Sequence, residues 1–141
     1  MTGEVAAVPV VLVGHGGFPD GVRDAVEMIL GDQENLATVS LRPEGSPEGV
    51  AEEVTDAVAK LGGGQGALVL ADLMGGSPAN AVGLLALRDP SLCLVSGLNL
   101  AMALEVLTSP AATAAELAGV ALAAGAEGIV DVGARLRAAS G

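Results

Sequence analysis

The chain has 141 residues, of which 51% are hydrophobic, and its 17 acidic and 6 basic side chains give a net charge of −11. This length predicts a single domain over residues 1–141, and the composition is that of a folded chain. The acidic balance and the single aromatic residue exclude nucleic-acid binding, which needs cations against phosphates and rings against bases.

The N-terminus and the cysteine content predict a cytoplasmic protein without a metal or cofactor. Residues 1–4 lack the basic start of a signal peptide, and no apolar run approaches the roughly 18 residues of a membrane span. Cys93 is the only cysteine and His15 the only histidine. An internal disulfide is therefore excluded, and a zinc site would depend on carboxylates.

Apolar runs alternate with segments of helical spacing along the chain. Residues 8–13 form a continuous apolar run, which is typical of a strand buried on both faces. Residues 22–30 then carry apolar side chains at helical spacing, and Gly31 ends the pattern. Continued along the chain, the alternation predicts strands over residues 8–13, 36–41, 67–71 and 92–95, and helices over residues 22–30, 50–61, 78–87, 100–107 and 110–124.

Strands separated by helices predict parallel pairing through right-handed crossovers. We therefore expect an α/β fold with three layers, in which an open, doubly wound, mainly parallel sheet is covered on both faces. The short apolar stretch over residues 128–132 predicts a fifth strand at a sheet edge, one that another subunit completes.

Ser-Pro pairs begin at Ser46, Ser77 and Ser109, and each stands where a helix is predicted to start. Serine caps the first free N–H groups of a helix, and proline at the first helical position loses no donor that the helix needs. The pairs therefore predict three helix starts with serine caps.

Two glycine-rich turns follow predicted strands, one containing His15 and the other running from Asp72 through Gly75 and Gly76 to Ser77. The carboxyl ends of neighbouring parallel strands share one crevice. There a neutral imidazole can attack phosphorus, while a carboxylate fixes its tautomer and stabilises the resulting cation. Backbone N–H groups at a helix start can hold phosphoryl oxygens. We therefore interpret His15 and Asp72 as catalytic, and Gly75, Gly76 and Ser77 as phosphate-binding.

Plainer interpretations exist for the same residues. His15 can be an ordinary loop histidine, Asp72 a turn residue, and Ser77 only a helix cap. The position of both turns at strand ends favours the phosphate chemistry. Other motifs fail, because Pro19 occupies the third glycine of a dinucleotide fingerprint and Pro78 is ill-suited to a hydrolase nucleophile turn.

Several blocks in order over nearly the whole chain resemble the mannose-family IIA component of the bacterial sugar phosphotransferase system (PTS). They are Gly14-His15-Gly16, Glu27-Met28-Ile29-Leu30-Gly31, Gln33-Glu34-Asn35, Asp72-Leu73-Met74-Gly75-Gly76-Ser77-Pro78-Ala79-Asn80 and Gly97-Leu98-Asn99-Leu100. The combination of Asp-x-x-Gly-Gly-Ser-Pro-x-Asn with an upstream Gly-His-Gly is far more specific than any single glycine motif.

The resemblance implies that His15 is phosphorylated by the histidine phosphocarrier protein HPr and passes the phosphate to a IIB component for sugar uptake. It implies that Asp72 is the carboxylate partner and that Ser77 and the Gly75-Gly76 turn hold the phosphoryl group. It also implies a homodimer that exchanges an antiparallel edge strand, which residues 128–132 suit, and an indirect link to a IIC and IID membrane permease. The chain is too short to include IIB, which is expected as a separate protein.

Two features depart from the family pattern, and two other functions stay open. Ala101 stands where the family often has proline, and Met74 where it often has an aromatic residue. The phosphotransfer subunit of a dihydroxyacetone kinase shares the implied fold and the early histidine, and a regulatory docking module would use the crevice without turnover. The sequence names neither the sugar nor the imidazole nitrogen that carries phosphate.

Overall fold

The computed structural model describes residues 7–64 and 66–141, which form four strands and six helices. The strands are β1 (Val10–His15), β2 (Leu36–Leu41), β3 (Ala67–Ala71) and β4 (Leu92–Ser96). The helices are α1 (Phe18–Leu30), α2 (Pro47–Lys60), α3 (Ser77–Arg88), α4 (Leu100–Thr108), α5 (Ala114–Glu127) and α6 (Val132–Ser140). Residues 1–4, in which no signal peptide is expected, lie outside the described part of the chain.

The strands form one parallel sheet in the order β2-β1-β3-β4. The chain adds β2 on one side of β1 and then β3 and β4 on the other, so the winding direction reverses between β1 and β3. In sheets of this kind, ligands bind beyond the carboxyl ends of the strands at the reversal. The doubly wound parallel architecture is confirmed, and it brings the last residues of β1 and β3 side by side.

The sheet is the middle of three layers. Its central strands are apolar on both faces because both are covered: the five residues of β3 are all buried, as are the first five of β1. One core packs the sheet against α1, α4 and α5, and the other packs it against α2 and α3. The continuous apolar runs predicted from the sequence are therefore the strands that both cores share.

The three Ser-Pro pairs have different structural roles. Ser46 caps α2 as predicted, because its hydroxyl accepts a hydrogen bond from the backbone N–H of Gly49 at 3.1 Å. Ser77 is itself the first residue of α3, after a Gly76 cap that provides no side-chain hydrogen bond. The prediction for Ser109 is wrong, since α5 begins later and is capped by a reciprocal pair of hydrogen bonds between Thr113 and Glu116.

The predicted antiparallel edge strand over residues 128–132 is also wrong for the described chain. Gly128 and Ile129 still donate hydrogen bonds to the carbonyls of Ala124 and Ala126, so the last turn of α5 occupies the first half of that stretch. Asp131 then caps α6 by accepting from the N–H of Ala134 at 2.9 Å. Too few residues remain between the two helices to form a ladder.

No helix of the described residues is, by itself, long and apolar enough to cross a membrane. The helices α5 and α6 meet the criterion of length and composition when taken together, and they are bent by 65° at the break between them.

Candidate functional site

The only histidine and the carboxylate predicted to serve it are in direct contact. His15 ends β1 and Asp72 directly follows β3. Both residues therefore lie at the switch point of the sheet, where the winding direction reverses between β1 and β3. The Nδ1 atom of His15 lies 2.7 Å from Oδ2 of Asp72, and the backbone N–H of His15 donates to the same oxygen at 2.9 Å. The sequence prediction that one crevice would contain both residues therefore agrees with the structure.

The carboxylate of Asp72 is held from several sides. Its other oxygen, Oδ1, accepts the backbone N–H of Leu73 at 2.8 Å. Burial by itself raises the pKa of Asp72, but the hydrogen bonds from His15 and Leu73 and the charge of His15 outweigh it, so the pKa lies below its ordinary value of 3.8. The group is thus an ionised acceptor of three hydrogen bonds at neutral pH.

The imidazole of His15 is anchored on one side and open on the other. Its side chain is 51% exposed, whereas the side chain of Asp72 is only 10% exposed. Within the described residues, the hydrogen bonds of His15 involve its backbone N–H and Nδ1, and none ends on Nε2. With Nδ1–H donated to a carboxylate, the neutral tautomer has its lone pair on Nε2, which is the nucleophilic nitrogen.

The second glycine-rich turn closes around the same ring. A Cβ atom built on Gly76 would lie 3.0 Å from Cε1 and 3.7 Å from Nε2 of His15, so the backbone approaches the imidazole closely. Gly75 adopts φ +86°, which favours glycine, and Ser77 begins α3. The described structure gives no hydrogen bond from Gly75 or Ser77 to His15, and the turn meets the ring through Gly76.

Two contributions to this arrangement were missed from the sequence. The side-chain amide of Asn80 donates to the carbonyl of Gly75 at 3.4 Å and so spans the turn from the first part of α3. The N–H of Leu73 that donates to Asp72 is a backbone group, so the residue type at position 73 does not predict this hydrogen bond. Asn80 did have a signal, since it ends the Asp-x-x-Gly-Gly-Ser-Pro-x-Asn block, but that block gives no indication of its partner.

Within residues 7–64 and 66–141, no group of three His, Cys, Asp or Glu side chains comes together as a metal site requires. The site is built instead from one imidazole, one carboxylate and a turn at the start of a helix. Such a set can accept a phosphoryl group, because the imidazole supplies a nucleophile and the helix N-terminus favours an anion.

Comparison with known proteins identifies the class to which this fold and site belong. Residues 9–121 match the EIIA-man family, described as "PTS system fructose IIA component". The chain is therefore a member of the mannose-family IIA components of the phosphoenolpyruvate-dependent sugar phosphotransferase system.

Individual relatives agree with this assignment. The chain is 30% identical over 124 residues to the "PTS system mannose-specific EIIAB component" of Escherichia coli (strain K12), which covers 86% of this chain and 38% of that protein. It is 30% identical over 101 residues to the "PTS system fructose-specific EIIA component" of Bacillus subtilis (strain 168), which covers 72% of this chain and 69% of that one. The relatives' names differ in the sugar they give.

A solved structure shares the fold over almost its whole length. The phosphotransferase system component EIIA from Streptococcus agalactiae superposes with a TM-score of 0.83 at 30% identity, and the match covers 90% of this chain and 98% of that chain. The present chain spans about two fifths of the length of the mannose-specific EIIAB component.

Proposed function

We propose that this chain is a phosphocarrier that accepts a phosphoryl group on His15 from HPr and passes it to a IIB component for sugar uptake. The observation that carries the proposal is the 2.7 Å contact between Nδ1 of His15 and the Asp72 carboxylate, with Nε2 left open at the sheet switch point. A histidine with a purely structural role has no need of an ionised partner on one nitrogen and an open second nitrogen.

The geometry favours Nε2 as the phosphorylated nitrogen. Asp72 holds Nδ1–H, so the reactive lone pair of the neutral ring lies on Nε2. The lone pair attacks phosphorus, the bond from phosphorus to the donor histidine breaks, and its electron pair stays on the donor ring. The ring of His15 becomes positively charged as the new bond forms, and the adjacent carboxylate stabilises that charge.

The turn formed by Gly75, Gly76 and Ser77 is proposed to hold the phosphoryl oxygens. Gly76 already lies against the ring, and its missing side chain leaves the backbone close to Nε2. The helix that begins at Ser77 points its positive end toward this region, as in other phosphate sites at helix N-termini. Transfer then depends mainly on position and charge, because phosphoryl transfer needs little covalent chemistry from the protein.

The proposed partners are macromolecular, and no cofactor is required. A net charge of −11 favours a partner with a basic face, because complementary fields speed encounter. HPr is the proposed donor, and IIB, linked to a IIC and IID permease, is the proposed acceptor. We propose a cytoplasmic location and a single domain over residues 1–141.

Intact mass spectrometry tests the phosphocarrier proposal. The protein is incubated with phosphoenolpyruvate, the general phosphotransferase enzyme and HPr, beside His15→Ala and the remote control Asp89→Asn. We expect an acid-labile gain of one phosphate on the wild type and on the control, and none on His15→Ala. Phosphate on His15→Ala would place the acceptor elsewhere, and no phosphate on the wild type with active donor would favour the docking module or another donor.

We also propose a homodimer in which a second copy covers the edge of strand β4 and the groove beside it. Strand β4 has a neighbour on one side only among the described strands. Beside it, a groove of about 530 Å³ is bounded by Leu84 and Leu87 of α3, which are 62% and 83% exposed. An unpaired strand edge beside apolar surface is a surface that natural proteins usually cover.

Analytical ultracentrifugation tests the dimer. We expect a dimer for the wild type and a monomer for Leu87→Asp, because a carboxylate in this groove opposes burial against a second copy. Leu122→Asp, at an exposed position of α5, is the control and should stay dimeric. A wild-type monomer at all concentrations would exclude the dimer.

A further inference from the structure

Gly14, which is not among the residues assigned to the site, lies against the carboxylate that orients His15. A Cβ atom built on Gly14 would lie 3.0 Å from both Cγ and Oδ2 of Asp72 and 3.2 Å from its Cβ. These separations are shorter than ordinary van der Waals contact. The oxygen in question, Oδ2, is the one that accepts both hydrogen bonds from His15.

Hydrogen bonds hold both sides of this contact. Gly14 lies inside β1, where it is paired with Ser40 of β2, and the preceding residue Val13 accepts the backbone N–H of Asp72 at 3.0 Å. The carboxylate is fixed by His15 and Leu73 through three hydrogen bonds. A side chain at position 14 would therefore displace the carboxylate and lengthen its bonds to His15 before it could bend the sheet.

We propose that Gly14 is a positioning residue for the phosphoryl transfer, because its missing side chain leaves the space that Asp72 needs to accept a hydrogen bond from Nδ1 of His15. The effect on His15 is indirect and passes through Asp72. This inference rests on the proposed function for its kinetic consequence only. The steric consequence for Asp72 and the imidazole holds whether or not the chain carries phosphate.

A single added methyl group tests the proposal. In Gly14→Ala, we expect the pKa of Asp72 to rise towards its ordinary value, because weaker hydrogen bonds from His15 favour the carboxylate less. We expect the Nδ1 proton signal of His15 to weaken and phosphoryl transfer from HPr to slow roughly tenfold, because small misplacements of a reacting group lower the rate steeply. The titration is followed by carbon-13 NMR of the carboxyl groups, and the tautomer by nitrogen-15 NMR of the ring.

Gly21→Ala is the matched control. Gly21 lies in α1, six residues after His15, where a Cβ would meet nothing within 4 Å and where no left-handed backbone is required. This variant should leave the titration of Asp72, the ring signals and the transfer rate unchanged. An unchanged Asp72 titration in Gly14→Ala would overturn the proposal, because the carboxylate would then have kept its position beside a side chain.

Two double variants separate the indirect effect from general damage. In the Asp72→Asn background, Gly14→Ala should change the transfer rate less than about twofold, since the residue through which it acts is already altered. A full tenfold further loss would contradict the proposal. If Gly14→Ala fails to fold, Gly14→Ala combined with Asp72→Ala should fold, because the colliding carboxylate is gone, and an unfolded double variant would overturn the inference.

Two different results would refute the phosphocarrier function and the positioning role of Gly14. The absence of phosphate on the wild-type protein would refute the carrier function and leave the NMR results on Asp72 standing. An Asp72 titration that is insensitive to Gly14→Ala would refute the inference and leave a phosphorylated wild type standing.

Discussion

Replacing Asp72 with asparagine keeps the shape of the side chain and removes the charge that the site depends on. In the structure, the two oxygens of Asp72 accept three hydrogen bonds, from the N–H and Nδ1 of His15 and from the N–H of Leu73. An amide has only one oxygen, so its NH₂ group must face a donor in either orientation. One orientation opposes Leu73, and the other opposes the backbone of His15 and favours the wrong ring tautomer.

The size of the effect follows from the interaction that is lost as the ring becomes charged. A hydrogen bond to a charged group contributes about 1.5–3 kcal/mol, and each 1.36 kcal/mol is a factor of ten in rate. We therefore expect Asp72→Asn to slow phosphoryl transfer about 10- to 150-fold. The Michaelis constant for phosphorylated HPr should stay near the wild-type value, because Asp72 is almost buried and does not form the outer surface.

Rapid-quench measurement of phosphohistidine formation checks this prediction, with phosphorylated HPr as the donor. Asp89→Asn is the matched control, because the pKa of Asp89 is also lowered by hydrogen bonds, from Ser91, and this carboxylate lies in the loop between α3 and β4. The control should transfer at the wild-type rate. An Asp72→Asn rate within twofold of wild type would refute the role assigned to the carboxylate.

Three further predictions concern the same chain. Because the pKa of Asp72 is lower in the folded state, its ionised carboxylate stabilises the fold at any pH above the pKa of the unfolded state. This stabilisation is lost as the pH falls through the pKa of the folded state. The unfolding free energies of wild type and Asp72→Asn in urea should thus converge below about pH 4, and a constant gap would contradict this. Gly76→Ala brings a methyl group to 3.0 Å from Cε1 of His15 and should slow transfer, unlike Gly83→Ala, where the nearest atom is 4.0 Å away. Leu70→Ala, fully buried in β3, should cost about 2–5 kcal/mol of unfolding free energy, and a loss below 1 kcal/mol would contradict the packing described.

Local patterns were enough to predict the elements that position the site. The apolar runs of β1 and β3 and the glycines after them predict strand ends, and parallel pairing then predicts that His15 and Asp72 meet. The particular hydrogen bond from Nδ1 depends on β1 and β3 being adjacent, which is a property of strand order. No local signal in the chain determines that order.

The errors have a common physical cause. Residues 128–132 contain β-branched side chains that favour a strand, but the Ala-rich helix before them continues to Glu127 and Asp131 caps a further helix. Ser109 is a residue type that often caps helices, yet α5 begins after Thr113. Thr113 and Glu116 form two reciprocal capping hydrogen bonds there. In both places the start of a helix is set by capping hydrogen bonds between residues three positions apart, which a pattern of single residues does not reveal.

The exposure of the two central side chains is consistent with a carrier, which must serve two different proteins at one atom. Asp72 is nearly buried beneath the sheet ends, whereas half of the His15 side chain is accessible, so the ring is oriented from below and reached from outside. Within the described residues, no arginine or lysine forms a hydrogen bond or ion pair with His15. Under the proposed function, the helix N-terminus at Ser77 and cationic groups of the docked partner would meet the negative charge of the transferring phosphoryl group. Rapid transfer would then require a bound partner, which would limit loss of the phosphate to water between encounters.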